Sequence, residues 1–237
     1  MNRREFLALG LFPFFWRPRT VRLAGARFRI RRNGQSPHRY LVIHGNEETA
    51  RSVLEQHIRA RKGIAYIIQG HTRNVSVGDG FIDPNRMFSR EGAEISLKRL
   101  NSAWDSPRIQ RALDELDRGR EHLVRALLPP PGSRTVALHN NSEGYSVNDE
   151  IGISDRTSIK QPDGPHAFFL ATDPHDFEML AASPYNVVLQ QRGPTSDDGS
   201  LSRLAARRGV RYINLEVALG DAARQQEMLT WLEAHLP

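Results

Sequence analysis

Residues 40–47 read YLVIHGNE, an apolar run that ends abruptly in His44 and, three residues later, in Glu47. A β-branched and aromatic run bounded by Gly-Asn predicts a buried strand, and the residues after Glu47 predict a helix. His44 and Glu47 would then lie at the carboxyl end of a strand, where open α/β sheets place their ligands. Both are good zinc ligands, but catalytic zinc needs three protein ligands and one open position. Because H-x-x-E is common by chance, its meaning depends on a third ligand and a general base elsewhere in the chain.

The size and composition favour one ordinary globular domain. The chain has 237 residues, of which 39% are hydrophobic and 25% charged, and this length leaves room for a real core. It contains no cysteine, so thiolate ligands and disulfides are excluded. Any bound metal must therefore be held by His, Asp or Glu.

The net charge of +6 comes largely from arginines near the N-terminus. Such a balance is typical of proteins that meet nucleic acid, an anionic membrane surface or an acidic substrate. The arginines lie in no recognition helix, zinc finger or aromatic stacking pattern. We therefore expect no nucleic-acid partner, and a basic membrane- or nucleic-acid-associated module is an alternative that depends on charge alone.

The first residues predict an export signal. Arg3-Arg4 is followed by Phe6-Leu7 and a short apolar run to Trp16, too short to cross a membrane. The pair is typical of a twin-arginine signal, and Ala24-Gly25-Ala26 offers a cleavage site. We therefore expect a signal or anchor at residues 1–26, a catalytic domain at residues 27–237, and a periplasmic or otherwise exported protein. Membrane contact is expected only through this segment where it stays uncleaved, and a frayed basic tail is the alternative.

Strands and helices alternate along the rest of the chain. A strand from Arg27 is interrupted at Asn33-Gly34 and resumes at residues 39–43, which predicts a hairpin or an edge pair. Further strands are expected at residues 64–68, 135–138, 167–171, 186–190 and 210–217, and helices at 48–60, 106–128, 200–208 and 221–235. Residues 69–92 and 140–165 are expected to be long polar loops. The order predicts a single α/β domain with a mixed, mostly parallel sheet flanked by helices.

Two more residues share the setting of His44. The strand at residues 135–138 ends on His139, so two strands would each deliver a histidine to the same sheet edge. Glu216 lies inside the last apolar run, where an ionised carboxylate needs a cation, a hydrogen-bonding network or a catalytic water. The alternatives are a hydrogen-bonded histidine at a strand end and a glutamate on the solvated face of an edge strand.

With these residues the chain resembles the zinc carboxypeptidases of the carboxypeptidase A type. The H-x-x-E pair is His44-Gly45-Asn46-Glu47, and Asp83-Pro84-Asn85-Arg86-Met87-Phe88 is similar to the family's D-P-N-R-x-F loop. Leu138-His139-Asn140 resembles the segment of the third ligand, and Gly199-Ser200 followed by Glu216 resembles the segment of the base. The four elements occur in the family's order across residues 41–217.

The resemblance implies a role for each matching residue. One Zn²⁺ per chain would be held by His44, Glu47 and His139, and it would activate a water and polarise the scissile carbonyl. Glu216 would carry the proton from that water to the leaving amine. Arg86, helped by Asn85, would pair with the substrate's free carboxylate, since a guanidinium matches a carboxylate bidentately. Arg73 is a candidate for stabilising the oxyanion, with a solvated loop arginine as the alternative.

The chain also departs from the family. Where the family usually has a substrate-contacting tyrosine it has Arg192-Gly193-Pro194, and Tyr145 or Tyr185 could replace it only by proximity. The chain is shorter than digestive members, as in the aspartoacylase and succinylglutamate desuccinylase group, which hydrolyses N-acyl amino acids. We expect a metallocarboxypeptidase acting on a peptide or amide beside a free carboxylate, with cell-wall peptides as one substrate. A deacylase of N-acyl amino acids and a non-catalytic carboxylate-binding relative are the alternatives.

Overall fold

A computed structural model of the protein describes residues 19–141, 144–192 and 196–236. Residues 1–18 of the export signal predicted at residues 1–26, and the Gly193-Pro194 pair, lie outside the described residues. Among the residues that the structure describes, no helix combines the length and apolar character that a membrane crossing requires.

The described chain forms one large sheet with a small hairpin beside it. The large sheet has nine strands in the order β1-β2-β4-β3-β7-β11-β9-β10-β8, and β5 pairs with β6 separately. The strands are β1 (Thr20–Leu23), β2 (Ala26–Asn33), β3 (Arg39–Val42), β4 (Gly63–Ile68), β5 (Val75–Val77), β6 (Gly80–Ile82), β7 (Thr135–Asn141), β8 (Arg156–Ser158), β9 (Phe168–Ala171), β10 (Asn186–Leu189) and β11 (Tyr212–Ala218). The adjacent strands β4, β3, β7 and β11 are parallel to one another, as are β9 and β10, whereas the pairs β1–β2, β2–β4, β11–β9 and β10–β8 are antiparallel.

Helices cover both faces of this sheet. They are α1 (Glu48–Ala60), α2 (Arg90–Leu100), α3 (Ser106–Leu127), α4 (Val147–Ile151), α5 (Pro174–Ala181), α6 (Leu201–Arg207) and α7 (Ala222–His235). Leu54 of α1, Leu180 of α5 and Leu229 of α7 are fully buried in the core on one face. Leu97 of α2, Leu116 of α3 and Leu201 of α6 are fully buried in the core on the other. The predicted α/β class and mixed sheet are confirmed.

The predicted strand–helix–strand unit is present, because β3, α1 and β4 follow one another and the two strands pair in parallel. The hairpin predicted at Asn33-Gly34 is wrong. β2 pairs with β1 and β4, whereas β3 lies between β4 and β7, so the chain crosses over instead of turning back. The apolar strand β4, buried along its whole length, lies between β2 and β3.

The polar segments predicted as loops hold regular structure of their own. The segment 69–92 contains the β5–β6 hairpin, a 3-10 turn at Pro84–Arg86 and the start of α2. The segment 140–165 contains α4 and β8. Sequence-based prediction depends on apolar residues that recur at regular spacing over many residues. Short elements that begin at Ser or Asp caps do not show this pattern, so they were predicted as loops.

The sheet begins at Thr20, earlier than the domain boundary expected at residue 27. Val21 and Leu23 of β1 are buried, and the predicted cleavage motif Ala24-Gly25-Ala26 lies at the turn between β1 and β2. Cleavage there would remove the edge strand β1 from the sheet.

Candidate metal centre and active site

The carboxyl edge of the parallel strands brings the predicted site residues together. His44 follows β3, and His139 lies on β7 directly beside Glu216 of the parallel strand β11. β7 continues to Asn141, so His139 lies within the strand and not at its end as expected. All three side chains are at most 5% exposed.

His44, Glu47 and His139 form a buried group of three converging ligand atoms. One ligand atom from each lies within 4.8 Å of the others. His44 Nδ1 is 2.7 Å from Glu47 Oε1, and His139 Nδ1 is 3.3 Å from Glu47 Oε2. Ligand atoms about 2.1 Å from a tetrahedral zinc lie roughly 3.4 Å apart, so the spacing is close to that of an assembled site.

The opposite ring nitrogen of His44 is fixed by Asp83, a residue that the sequence analysis did not assign to the site. His44 Nε2 donates to Asp83 Oδ1 at 2.9 Å, and the same oxygen accepts from the backbone N–H of Asn85 at 2.8 Å. A carboxylate behind a ligating histidine sets its ring orientation and leaves the other nitrogen free for the metal. The signal for Asp83 was its place in the D-P-N-R motif.

Electrostatics couple these groups strongly in the metal-free protein. Burial opposes the charged form of His44, but the carboxylates of Glu47 and Asp83 outweigh it and raise its pKa to about 9. Burial likewise opposes ionisation of Glu47, yet the two histidines lower its pKa to about 2. In the metal-free protein His44 is therefore protonated and Glu47 is ionised. A metal ion that binds His44 must displace the imidazole proton.

Gly45 allows the loop after β3 to approach the loop that carries Arg73. Its N–H donates to the carbonyl of Thr72 at 3.1 Å, and a Cβ at this position would lie 2.5 Å from that oxygen. Arg73 thereby comes within 3.2 Å of Asp83 Oδ2 and 3.8 Å of Glu47 Oε1. Its side chain is 48% exposed, so its guanidinium lies at the rim of the site with one face toward solvent.

The Asn85-Arg86 loop packs against the turn that precedes α6. Asn85 Oδ1 accepts from the backbone N–H of Leu201 at 3.1 Å, and Arg86 Nη1 lies 3.3 Å from Asp198 Oδ2. Gly199 has φ +76°, and a Cβ there would lie 2.5 Å from the Arg86 carbonyl. The glycine of the predicted Gly-Ser turn therefore permits the close contact that fixes Arg86.

Glu216 lies on the floor of the same site. Burial raises the pKa of Glu216 to about 7. The charge of His139 opposes this shift, and the negative charge of Glu47 adds to it. Asn141 Nδ2 donates a long hydrogen bond to Glu216 Oε2, at 3.5 Å. A carboxylate with a pKa near neutrality and weak hydrogen bonding can accept and return a proton. Glu216 is buried in the sheet, not on a solvated edge.

One cavity of about 480 Å³ joins these groups. All seven predicted site residues line it: His44, Glu47, Arg73, Asn85, Arg86, His139 and Glu216. Of the two tyrosines considered, Tyr145 lines the cavity, whereas Tyr185 packs against Phe169 and Trp231. Arg203 also lines it and was missed, because no motif marks an arginine on α6.

The donor set fits a zinc ion. Two imidazoles and one carboxylate are ligands that zinc accepts, and three protein ligands leave a position open. Glu47 Oε2 is buried and has no hydrogen-bond partner among the described residues, although His139 lies close by. A buried lone pair without a donor is costly, and a cation at this point would satisfy it.

No protein-family model matches the chain, and no curated protein matches it. Among solved structures it is similar to the ectoine utilization protein EutE (DoeB) from Ruegeria pomeroyi, with 14% identity and a TM-score of 0.46 over 88% of this chain and 60% of that one. It is also similar to a succinylglutamate desuccinylase/aspartoacylase from Rhodobacter sphaeroides, with 14% identity and a TM-score of 0.48 over 92% and 63%. A candidate metallopeptidase from Shewanella amazonensis SB2B has 12% identity and a TM-score of 0.43 over 92% and 84%.

The chain spans less than two thirds of the length of the first two proteins.

Proposed function

We propose that the protein is a zinc-dependent hydrolase that cleaves an amide bond beside a free carboxylate, most simply as a metallocarboxypeptidase. The observation that carries the proposal is the meeting of three parts in one cavity. These parts are the converging ligand atoms of His44, Glu47 and His139, the buried carboxylate of Glu216 and the guanidinium of Arg86. Hydrolysis beside a free carboxylate uses a Lewis acid, a general base and a cation that binds the carboxylate.

His44, Glu47 and His139 would hold the zinc, and the bound ion supplies a Lewis acid for the scissile carbonyl. Glu216 takes a proton from the attacking water and gives it to the leaving amine, so it ends the cycle as it began. A base with a pKa near the working pH is suited to both transfers.

Arg86 and Asn85 orient the substrate by its free carboxylate. The guanidinium now pairs with Asp198, which is half exposed and can yield to a bidentate substrate carboxylate. Arg73, at the rim beside Glu47 and Asp83, would stabilise the negative charge that develops on the carbonyl oxygen.

A deacylase of N-acyl amino acids uses the same parts, because its leaving group is also an amino acid with a free carboxylate. The two activities differ only on the acyl side, which is a peptide in one case and a small acid in the other. A non-catalytic carboxylate-binding relative would keep Asn85 and Arg86 but would have no use for a buried Glu216 beside His139.

Metal analysis tests whether the protein binds zinc through these three residues. The purified protein should hold about one zinc per chain, and His44→Ala should lose it. His71→Ala is the matched control, since His71 is 81% exposed and lies outside the three-ligand group. A folded wild-type protein that retains no zinc after zinc is added contradicts the proposal.

A substrate panel then separates the two hydrolases. Peptides with a free C-terminal carboxylate, the same peptides as C-terminal amides, and N-acyl amino acids are compared at equal concentration. The amides should be poor substrates, because Arg86 has no carboxylate to bind. Faster cleavage of N-acyl amino acids than of peptides would assign the deacylase activity.

Export is also proposed, on the basis of the twin-arginine-like sequence at the N-terminus. A periplasmic enzyme of this type would meet cell-wall peptides, whose stems end in free carboxylates. Fractionation of cells expressing the full chain, compared with an Arg3→Lys/Arg4→Lys variant, tests this: the variant should remain in the cytoplasm.

A further inference from the structure

The sheet margin formed by β1 and β2 has one face that is lined by arginines. In the antiparallel register of the two strands, Thr20 lies opposite Arg29 and Arg22 lies opposite Arg27. The residues between them are buried in the core on the other side of the sheet: Val21, Leu23, Ala26 and Phe28. Because successive side chains of a strand point to opposite faces, the arginines share the face on which α1 lies. We call this the arginine face, and it consists of Arg22, Arg27, Arg29 and Arg31.

Helix α1 provides little negative charge to this face. A groove of about 470 Å³ lies between β2 and α1, and the residues that line it are Arg31, Arg32, Asn33, Glu55, Ile58 and Arg59. Glu55 is the one carboxylate among them, and it already pairs with Arg29. Within the described part of the chain, the guanidinium groups of Arg31 and Arg59 form no ion pair or hydrogen bond. The groove and the strands beside it therefore carry uncompensated positive charge.

This concentration of charge is unfavourable for the protein alone. Arg22 and Arg27 are exposed and directly opposite each other, and like charges in that position repel. Charged side chains on an edge strand prevent unwanted pairing of sheets, which can account for Arg22 on β1. It does not account for Arg27 and Arg29, because β1 already covers the edge of β2 at these positions. An anionic surface outside the protein would compensate the charge.

The sequence before β1 favours an anionic membrane over nucleic acid as the source of that surface. Residues 6–16 read FLALGLFPFFW, and only residues 17–19 separate this run from β1. Apolar segments rich in aromatic residues partition into the membrane interface, and basic residues beside them add attraction to anionic lipids. Nucleic-acid surfaces commonly combine arginines with aromatic side chains on which bases stack. No aromatic side chain of β1 or β2 lies on the arginine face.

We propose that the arginine face is a membrane-docking surface that binds the phosphate groups of anionic lipids. Its guanidinium groups match phosphate oxygens bidentately, and the apolar run before β1 holds the face close to the bilayer. The contact belongs to the folded domain and adds to the one expected from the N-terminal segment. None of the four arginines lines the active-site cavity, so the inference does not depend on the proposed hydrolase function.

Co-sedimentation of the full chain with two kinds of vesicle tests the proposal. One kind is phosphatidylcholine alone, and the other contains about one third phosphatidylglycerol. The apolar run contributes to both partition coefficients, so their ratio measures the electrostatic contact. Wild type should favour the anionic vesicles by about 100-fold or more at low salt, and Arg22→Gln/Arg27→Gln/Arg31→Gln should lower that ratio by about 10- to 100-fold. Lysine at the same three positions should keep most of the preference, because the charge is retained.

Arginines on α3 provide the matched control. Arg108→Gln/Arg111→Gln/Arg118→Gln removes the same charge from exposed side chains of a helix that packs on the other face of the sheet. This variant should keep the wild-type ratio. If both glutamine variants lower the ratio equally, net charge alone is responsible and the docking surface is overturned.

Two further measurements can overturn the proposal. Wild type that binds both kinds of vesicle equally, or whose preference does not fall between about 0.1 and 0.5 M salt, has no electrostatic docking surface, and this result needs no variant. Fluorescence anisotropy with single-stranded DNA at the same salt tests the other partner. If wild type binds the DNA more tightly than the anionic vesicles and the Arg22/Arg27/Arg31 variant loses that binding, the face belongs to nucleic acid and the membrane assignment is wrong.

Discussion

Two buried polar clusters lie beside the central strands of the sheet, and of these two only one has the character of a metal site. The metal-ligand cluster (His44, Glu47 and His139) lies at the carboxyl edge of the sheet. The second, here called the Glu233 cluster, consists of Tyr40, His57, Arg134 and Glu233 and lies among β3, β7, α1 and α7. In it a single carboxylate oxygen accepts from the Tyr40 hydroxyl and from Arg134 Nη2, both at 3.0 Å.

The clusters differ in what their unused atoms can do. In the Glu233 cluster the buried atoms without partners among the described residues are nitrogens of Arg134 and His57, and guanidinium nitrogens only donate. In the metal-ligand cluster two imidazoles and a carboxylate direct acceptor atoms to one point. Buried charge alone therefore does not identify a metal site, whereas converging lone pairs do.

Glu216→Gln should have the largest effect and should change chemistry alone. Without a base the turnover number should fall by about 10²- to 10⁴-fold, while zinc content stays at the wild-type level because the three ligands are untouched. Steady-state kinetics and metal analysis on the same preparation measure both. Wild-type turnover in this variant would remove Glu216 from the mechanism.

Glu233→Ala should change stability alone. The substitution leaves Arg134, only 2% exposed, without its carboxylate, and breaking a buried pair from one side costs about 3–5 kcal/mol. Since Glu233 is itself 14% exposed, the lower end of that range is expected. Urea unfolding measures the loss of free energy of unfolding.

Zinc content of the folded Glu233→Ala variant is the control for this comparison. It should equal that of wild type, because no metal ligand contacts Glu233. If the variant loses zinc as well as stability, the two clusters are energetically coupled and are not independent.

The residues that the sequence predicted for the candidate site share one cavity, because most of them belong to motifs that follow or lie on apolar strands. His44, Glu47 and His139 follow or lie on apolar strands, and the parallel order of β3, β7 and β11 brings them to one edge. Asp83 and Arg203 were missed. Asp83 contacts His44 across 39 residues, and Arg203 reaches the cavity only through the position of α6, so neither a turn aspartate nor a helix arginine is distinctive by type.

The fold was predicted less completely for a related reason. Long periodic elements such as α3 and α7 were identified, whereas the crossover that places β2 beside β4 has no local signal. Asn33-Gly34 is typical of a hairpin, but pairing of the fully buried β4 with both β2 and β3 determines the topology. Tertiary packing outweighed turn chemistry there.

Asp83→Asn should weaken the metal-ligand cluster without removing a ligand. The amide cannot hold the His44 Nε2–H as a carboxylate does, and such outer partners change metal affinity by about 10- to 100-fold. Competition with a zinc chelator measures the affinity. Asp79→Asn, on the neighbouring β5–β6 turn, is the matched control and should bind zinc as wild type does.

The smallest expected effect is a pH dependence of stability with opposite sign in the two clusters. In the metal-free protein the carboxylates of Glu47 and Asp83 outweigh burial and raise the pKa of His44 to about 9. Its stabilising charge is fully present below the unfolded pKa of about 6.5 and is lost as pH rises through 9. For His57, burial, aided by the charges of Arg61 and Arg134, lowers the pKa. That histidine contributes stability above about pH 6.5, which is lost as pH falls below it.

Urea unfolding of the zinc-free protein between about pH 7 and pH 8.5 isolates the contribution of His44. Glu216, whose pKa is raised to about 7, contributes to the pH dependence of stability mainly below this range. The free energy of unfolding should fall by roughly 1 kcal/mol per pH unit across this window. His44→Ala should flatten the slope, and His57→Phe should leave it in place. A slope that survives in His44→Ala would mean that another group holds the proton, and His44 would no longer be the site where metal and proton compete.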